Sequence, residues 1–311
     1  MKTARILAAL GVAAALTFAA APAHAAAPAL PAGESLLAAS CTEDYPAAEV
    51  FRVDPATGVS TAIGTGSFDF VCSYQGAWDR TTSTYYGSVW DSGTSELVTW
   101  NLETGVPTKV ADILVGDAPV NPYALVIDLE GNAYFNSGVN LYSLDLATGA
   151  ATLLGPLAAL TDDGYGFSVD PSTGDLYLLQ ENGDLFLVDP VAVTATYVAS
   201  WTFSTEGTNT WGLAIDSAGT AWVVEYPGDD NYTALWSTPL ATFGVDPQLS
   251  GNIVDAATGE DFSGWWVALV PAAAPPALAA TGFDATPIAV AGGMLALAGL
   301  VLVASRRRRA A

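Results

Sequence analysis

The residues best able to do chemistry in this sequence are carboxylates, because it contains 32 acidic residues and a single histidine. That histidine, His24, lies close to the N-terminus, so nucleophile systems and zinc sites that rely on histidine are not expected in the rest of the chain. Six acidic residues lie in segments that connect predicted strands, and together they form a candidate ligand or cation face. They are Asp69, Asp117, Asp162, Asp163, Glu206 and Asp261.

Aromatic residues accompany several of these carboxylates, as Tyr165 does beside Asp162 and Asp163. Carboxylate oxygens suit a hard cation such as Ca²⁺, and aromatic rings can stack on a carbohydrate. Two acids fixed about 5 to 9.5 Å apart could instead hydrolyse a glycosidic bond. The sequence singles out no such pair, so we assign no catalytic residue and favour ligand binding. The simplest alternative is that the acidic loops serve only solubility.

The net charge of −23 limits the partners of the protein. Of the nine basic residues, only Arg52, Arg80 and Lys109 lie between residues 26 and 281. A surface this acidic repels phosphate backbones, so nucleic acid is not an expected partner.

The elements that must position the carboxylates form a repeat. A predicted strand that ends at an aspartate recurs at Asp79, Asp128, Asp170 and Asp216, at intervals of about 40 to 50 residues. Each aspartate opens a turn, and a second strand and then two more follow it. The strands are apolar on both faces, and no amphipathic helix separates them. The pattern predicts an all-β fold built from four-stranded antiparallel units.

These units resemble the blades of extracellular β-propeller proteins. The resemblance implies a five-bladed β-propeller over residues 35–270, and the last strand, 264–270, is expected to join the N-terminal blade and close the ring. Tight turns would then occupy one face of the ring, and the candidate carboxylates the other. Most tryptophans, such as Trp211 and Trp222, fall within strands and are expected in the core. The expected blades are 35–64 with 264–270, 67–115, 120–157, 163–202 and 208–254, the last with its fourth strand somewhere in 247–254.

The N-terminus predicts export. Residues 1–25 combine basic residues, an apolar run and an Ala-His-Ala cleavage site, which is typical of a secretory signal peptide, and residues 26–34 form a short lead. Export to an oxidising environment predicts a disulfide between Cys41 and Cys72. Both cysteines are expected on the same face, in neighbouring blades.

The C-terminus predicts an anchor. Residues 286–305 are apolar, uncharged and long enough to cross a membrane as a helix, and the Arg-rich tail 306–311 would stay in the cytoplasm. The Pro/Ala linker 271–277 and the pentapeptide 278–282 precede this helix. The pentapeptide consists of Leu278, Ala279, Ala280, Thr281 and Gly282.

The pentapeptide, apolar helix and arginines together resemble the Leu-Ala-x-Thr-Gly sorting signal of Gram-positive surface proteins. The resemblance implies that a sortase cuts after Thr281 and joins it to cell-wall peptidoglycan. Until then the helix would hold the chain in the membrane. The alternative is a single-pass membrane protein with its N-terminus outside.

The sequence therefore favours a secreted, wall-anchored module that binds a glycan or a protein. An extracellular hydrolase or lyase and a surface-coat protein without a specific ligand are the alternatives.

Overall fold

The structure, a computed structural model, describes residues 28–40, 50–64, 72–91, 93–203, 208–226, 233–257, 259 and 264–271. The predicted signal peptide, Cys41 and the whole predicted anchor, with its helix at 286–305, lie outside these residues. So do Asp69, Glu206 and Asp261. Among the described residues no helix is long and apolar enough to cross a membrane.

The described chain is almost entirely β-strand, which confirms the predicted all-β class. Its one helical element is a 3₁₀ turn at Leu240–Thr242. The strands are β1 Ser35–Ser40, β2 Val50–Val53, β3 Val59–Ala62, β4 Cys72–Asp79, β5 Thr84–Asp91, β6 Thr94–Trp100, β7 Pro107–Asp112, β8 Leu114–Val115, β9 Ala118–Pro119, β10 Ala124–Ile127, β11 Ala133–Ser137, β12 Asn140–Leu144, β13 Ala151–Pro156, β14 Gly164–Val169, β15 Leu176–Gln180, β16 Asp184–Asp189, β17 Thr194–Ser200, β18 Asn209–Ile215, β19 Thr220–Tyr226, β20 Ala234–Pro239, β21 Gln248–Asn252, β22 Val254–Asp255 and β23 Gly264–Val270.

Twenty of these strands form five antiparallel groups of four, which we call sheets I to V. Sheet I is β23-β1-β2-β3, so the last strand pairs with the first strand of the described chain. Sheets II to V are β4–β7, β10–β13, β14–β17 and β18–β21, each in chain order. Sheets II and III touch through one parallel pair, Gln75 with Ala124. The fourth strand of sheet V, β21, lies within the predicted 247–254 segment.

The strands are apolar on both faces because each sheet packs between two others. In β1, Leu36 and Ala38 join a cluster shared with sheet V, whereas Leu37 and Ala39 join one shared with sheet II. Alternate side chains of a strand point to opposite faces, so a run without polar residues serves both interfaces. Three further clusters lie between sheets II and III, III and IV, and IV and V.

Tight aspartate turns connect the strands at one end of the sheets, which we call the turn face. At Asp145, for example, the carboxylate accepts the Ala147 N–H at 2.8 Å, and the Gly149 N–H bonds the Asp145 carbonyl. Gly149 has a φ of 71° and packs against the backbone of Asp112 in the neighbouring sheet. Glycine is needed here for two reasons. Other residues rarely adopt this left-handed conformation, and a Cβ atom would clash with the backbone of Asp112.

The first strands of the five sheets contact one another in a cycle: β4 with β10, β10 with β14, β14 with β18, β18 with β23, and β23 with β4. Gln75 crosses the space between them. Its Nε2 donates to the carbonyls of Phe167 and Leu213 at 2.9 and 2.8 Å, and its Oε1 accepts the Phe167 N–H at 3.1 Å. The Gln75 side chain therefore links sheet II to sheets IV and V at the centre.

Two short elements at the perimeter were not predicted. After β21 the chain adds β22 in parallel to the outer edge of β3. After β7 it forms the β8–β9 hairpin, and Leu114 makes a parallel bridge to Ala150. Strands of two residues carry too little periodicity to be found from sequence.

Candidate functional site

An uninterrupted row of aromatic rings lies at the end of the first strands opposite the turn face, which we call the mouth. Tyr74 and Tyr123 have ring centroids 6.5 Å apart, Tyr123 and Tyr165 stack at 5.3 Å, and Tyr165 and Trp211 stack at 4.8 Å. Tyr226 meets Trp211 edge-on at 5.8 Å. The five side chains are half-buried, so the row is partly open to solvent.

Strand irregularities direct two of these rings into the mouth. Tyr165 and Trp211 are each skipped in the pairing register, between Gly164 and Gly166 and between Thr210 and Gly212. Such β-bulges turn a side chain away from the direction that simple alternation gives it. The sequence prediction that Trp211 is a core residue is therefore wrong, although Trp222 is fully buried as expected.

A signal for the row does exist in the sequence. Tyr74, Tyr123, Tyr165 and Trp211 each stand five residues before the aspartate that opens the first turn of their sheet. The same aspartates align the repeat, but the shared aromatic position before them was not recognised, because Tyr165 was considered only with Asp162 and Asp163 and Trp211 was expected in the core.

Three carboxylates lie beside the row, on Asp162, Asp163 and Glu181. Asp162 and Asp163 precede β14, and Glu181 follows β15 directly, where its backbone N–H donates to the Asp163 carbonyl at 2.8 Å. The Glu181 carboxylate accepts one hydrogen bond from Asn209 Nδ2 at 2.8 Å. The Asp162 carboxylate accepts the Asp163 N–H at 2.9 Å.

Burial and neighbouring negative charge raise the pKa values of Asp163 and Glu181 and of the two phenols closest to them. Burial is the main reason that the pKa of Asp163 is raised, and the charge of Asp162 adds to it. Burial again leads for Glu181, whose pKa is raised further by Asp162 and Asp163. Burial and the charge of Asp163 also raise the pKa values of Tyr123 and Tyr165. Like charges held close together in partial burial are a frequent mark of functional sites.

Two buried amides hold this acidic segment in place. Asn136, at the end of β11, donates from Nδ2 to the Gly164 carbonyl at 2.8 Å, and Gln180, at the end of β15, donates from Nε2 to the Asp162 carbonyl. Both side chains are fully buried. The amide oxygens of both have no hydrogen-bond partner among the described residues. The backbone of residues 162–164 is therefore fixed from two sheets.

No described basic residue offsets the charge of these carboxylates. Arg52 bonds Ser35 and the Leu102 carbonyl, and Lys109 pairs with Glu96 and Asp112. Arg80 follows Asp79 at the turn face, where it interacts with Glu34. Negative charge at the mouth is thus uncompensated within the described part of the chain.

The structure brings together only part of the predicted face. Asp162 and Asp163 adjoin each other as expected and are joined by Glu181. Asp117 lies exposed in the turn of the β8–β9 hairpin, outside the contacts described for this cluster. Within the described residues no group of three or more acidic, histidine or cysteine side chains is arranged to hold a metal ion.

Comparisons with known proteins give no family for this chain. No family model matches it, and no curated protein does. Many solved structures are distantly similar to it. A structural genomics protein of unknown function from Bacteroides thetaiotaomicron is 17% identical over 61% of this chain and 56% of its own, with a TM-score of 0.44.

TolB from Acinetobacter baumannii is 12% identical over 76% of this chain and 57% of its own, with a TM-score of 0.41. Apo AztD from Citrobacter koseri is 14% identical over 80% of this chain and 63% of its own, with a TM-score of 0.36. The chain thus spans less than two thirds of each of these structures. Similarity at this level names no activity.

Proposed function

We propose that the protein is an exported five-bladed β-propeller that binds a ligand at its aromatic and acidic mouth. The observation that carries the proposal is the row from Tyr74 to Trp211 beside Asp162, Asp163 and Glu181. A ligand rich in hydroxyl groups, such as a glycan, fits best, because phenols and carboxylates can exchange hydrogen bonds with it while aromatic surface covers its apolar parts.

Closure of the ring is part of this proposal. It is supported by the cyclic contacts of the first strands, by the pairing of β1 with β23, and by the 2.6 Å bond from Trp266 Nε1 to the Ser73 carbonyl. A chain ended after residue 263 should lose β23 and with it cooperative unfolding. A chain ended after residue 271 is the matched control and should unfold cooperatively. Equal behaviour of the two chains in thermal melts would contradict closure.

A glycan array with the purified protein tests the binding site. We expect the best glycan to lose at least about tenfold in affinity on Asp163→Asn, the scale of one lost charge-assisted hydrogen bond. Asp117→Asn, in the β8–β9 hairpin, is the matched control and should leave affinity unchanged. An array without a single bound glycan would favour the surface-coat alternative.

A hydrolase is the second candidate, favoured by the raised pKa values of Asp163 and Glu181. A carboxyl kept protonated can act as the general acid in glycoside hydrolysis while a second one stays ionised. Turnover of a bound glycan that disappears on Glu181→Gln with binding retained would establish this function. Binding without turnover would exclude it for that glycan.

Anchoring and the disulfide remain predictions, because they fall wholly or partly on residues outside the described chain. We expect protein released from the cell wall to end at Thr281, as intact mass would show. Recovery of chains that keep residues 306–311 with the membrane would contradict sorting. For Cys41 and Cys72 we expect no free thiol in the exported protein before reduction.

A further inference from the structure

The outer strand of sheet IV, β17, has an open and uncharged edge. It reads Thr-Ala-Thr-Tyr-Val-Ala-Ser, and within the described residues its only strand partner is β16. Threonine, tyrosine and valine favour extended structure. Natural proteins usually protect such an edge with a charge, a proline or a covering segment, because its backbone can pair with another chain.

Three of the four other outer strands of this protein carry such protection. β22 covers β3, the Leu114 bridge adjoins the start of β13, and β7 contains Lys109, which pairs with Asp112 of the same strand. β17 and β21 have neither a charge nor a described strand that covers them, but β21 is shorter, mostly half-buried and without the β-branched residues of β17. The difference marks β17 as the edge most able to accept a further strand.

Exposed apolar side chains accompany this edge. Tyr197 and Val198 lie on β17 and are 55% and 43% exposed, and Val191, in the turn before it, is 91% exposed. At the other end Gly244 packs against the Ser200 carbonyl, and the next residue, Val245, is 60% exposed. The edge therefore offers apolar contacts along its length.

Carboxylates flank the edge at both ends. Asp184 pairs with Ser200 and accepts a hydrogen bond from its Oγ at 2.5 Å, and Asp189 pairs with Thr194. The three basic residues of the described chain are engaged elsewhere, as described above. The edge thus combines a neutral, apolar centre with negative charge at each end.

We propose that β17 is the docking strand for an extended peptide segment with an apolar centre and lysine or arginine at its ends. The segment would add to sheet IV by backbone hydrogen bonds, and its basic ends would meet Asp184 and Asp189. A second copy of this chain fits less well. Antiparallel pairing of two β17 strands would bring Asp184 of one copy towards Asp189 of the other.

The test measures binding of a labelled peptide, Lys-Val-Thr-Val-Thr-Val-Lys, to the purified full-length protein by fluorescence anisotropy. We expect saturable binding that weakens as salt is raised, and no binding of the same peptide with glutamate at both ends. Tyr197→Lys should weaken binding by about tenfold or more, because it puts a like charge against the basic peptide. Leu249→Lys on the outer strand β21 is the matched control and should leave binding unchanged.

The Tyr197 ring meets Phe186 edge-on at 5.9 Å, and its hydroxyl lies 2.8 Å from Ser200 Oγ. Its substitution should therefore lower the melting temperature only modestly, and a cooperative melt of the variant separates loss of binding from loss of fold. Equal binding of the acidic peptide, or equal loss in the Leu249→Lys variant, would overturn the proposal. Self-association in sedimentation that Tyr197→Lys abolishes would overturn it in favour of a second copy.

Discussion

Carboxylates lie at both the turn face and the mouth, but they affect the stability of the fold in opposite ways. At the turn face Asp79 accepts bonds from the Thr81 N–H and hydroxyl and from the Thr82 hydroxyl, at 2.8, 2.7 and 2.6 Å. Burial acts to raise the pKa of Asp79, but these bonds together outweigh it and lower the pKa. At the mouth, burial and neighbouring charge raise the pKa of Asp163. Ionised Asp79 at the turn face therefore stabilises the fold, whereas ionised Asp163 at the mouth works against it.

The origin of this difference is local. A turn aspartate bonds N–H and hydroxyl groups that its own next few residues supply, so each turn is complete in itself. Asp163 and Glu181 come from different segments of sheet IV and meet at a place where few donors reach them. This uncompensated charge is the electrostatic basis of the ligand site proposed at the mouth.

The largest effect is expected from removing a buried turn carboxylate. Asp216 is fully buried and accepts the Ala218 and Thr220 N–H groups, both at 2.9 Å, and the indole N–H of buried Trp222 at 3.0 Å. Asp216→Ala would leave these donors without partners, so we expect a loss of about 3 kcal/mol or more in the free energy of unfolding. Urea denaturation measures it.

Asp189→Ala is the control, since Asp189 is exposed and accepts only the Val191 and Ala192 N–H groups among its described contacts. Loss of the Asp189 carboxylate should lower the free energy of unfolding by about 1 kcal/mol or less, as loss of an exposed helix N-cap does. Equal losses of unfolding free energy in the two variants would show that burial does not decide how much a turn aspartate stabilises the fold.

The next effect tests how closely the turn face packs between sheets. Gly149→Ala should lower the free energy of unfolding by about 2 to 3 kcal/mol, since it combines a left-handed φ with a clash against the Asp112 backbone. Gly219 has a φ of 79° and open space around it, so Gly219→Ala isolates the cost of conformation at about 1 kcal/mol. Thermal melts that show no difference would mean that the turn moves away from its neighbour at little cost.

Gln75 holds the first strands of three sheets together at the centre. Gln75→Ala would remove three hydrogen bonds and leave backbone groups of Phe167 and Leu213 unsatisfied at the centre, which should cost about 2 kcal/mol. Gln248→Ala, which removes a single peripheral bond to the Asp246 carbonyl, should cost less than about 0.5 kcal/mol. Equal values in urea denaturation would mean that the central bonds contribute no more than a surface one.

The turn face could be predicted from the sequence because its chemistry is local. An aspartate followed by a turn identifies Asp128 or Asp170 from neighbours in the chain alone. The mouth could be predicted only in part, since its residues come from several sheets. Asp162 and Asp163 stood out as an acidic pair, but the role of Tyr165 and Trp211 depends on β-bulges that shift the register by one residue. The alternation of side chains along a strand can be read from the sequence, but the position of a β-bulge that interrupts it cannot.

The smallest expected effect is a change in melting temperature at pH 7, which should be positive for a mouth variant and negative for a turn-face variant. A raised pKa in the folded state means that the folded protein holds the proton of Asp163 more tightly than the unfolded chain does. Its ionisation therefore lowers stability as pH rises from about 4 through the raised pKa. Asp163→Asn should then raise the melting temperature at pH 7, by the equivalent of less than about 1 kcal/mol because the group is partly solvated, and change it little at pH 3.

Asp79 should behave in the opposite way. Its lowered pKa contributes stability that is complete above the ordinary carboxyl range and is lost as pH falls through the lowered pKa. Asp79→Asn should therefore lower the melting temperature at pH 7, and this cost should shrink as the pH is lowered into the acid range. Melts of both variants from pH 3 to pH 7 give the sign of each effect. If both variants lost stability at pH 7, the mouth carboxylates would be part of the scaffold, and the electrostatic argument for a ligand there would fail.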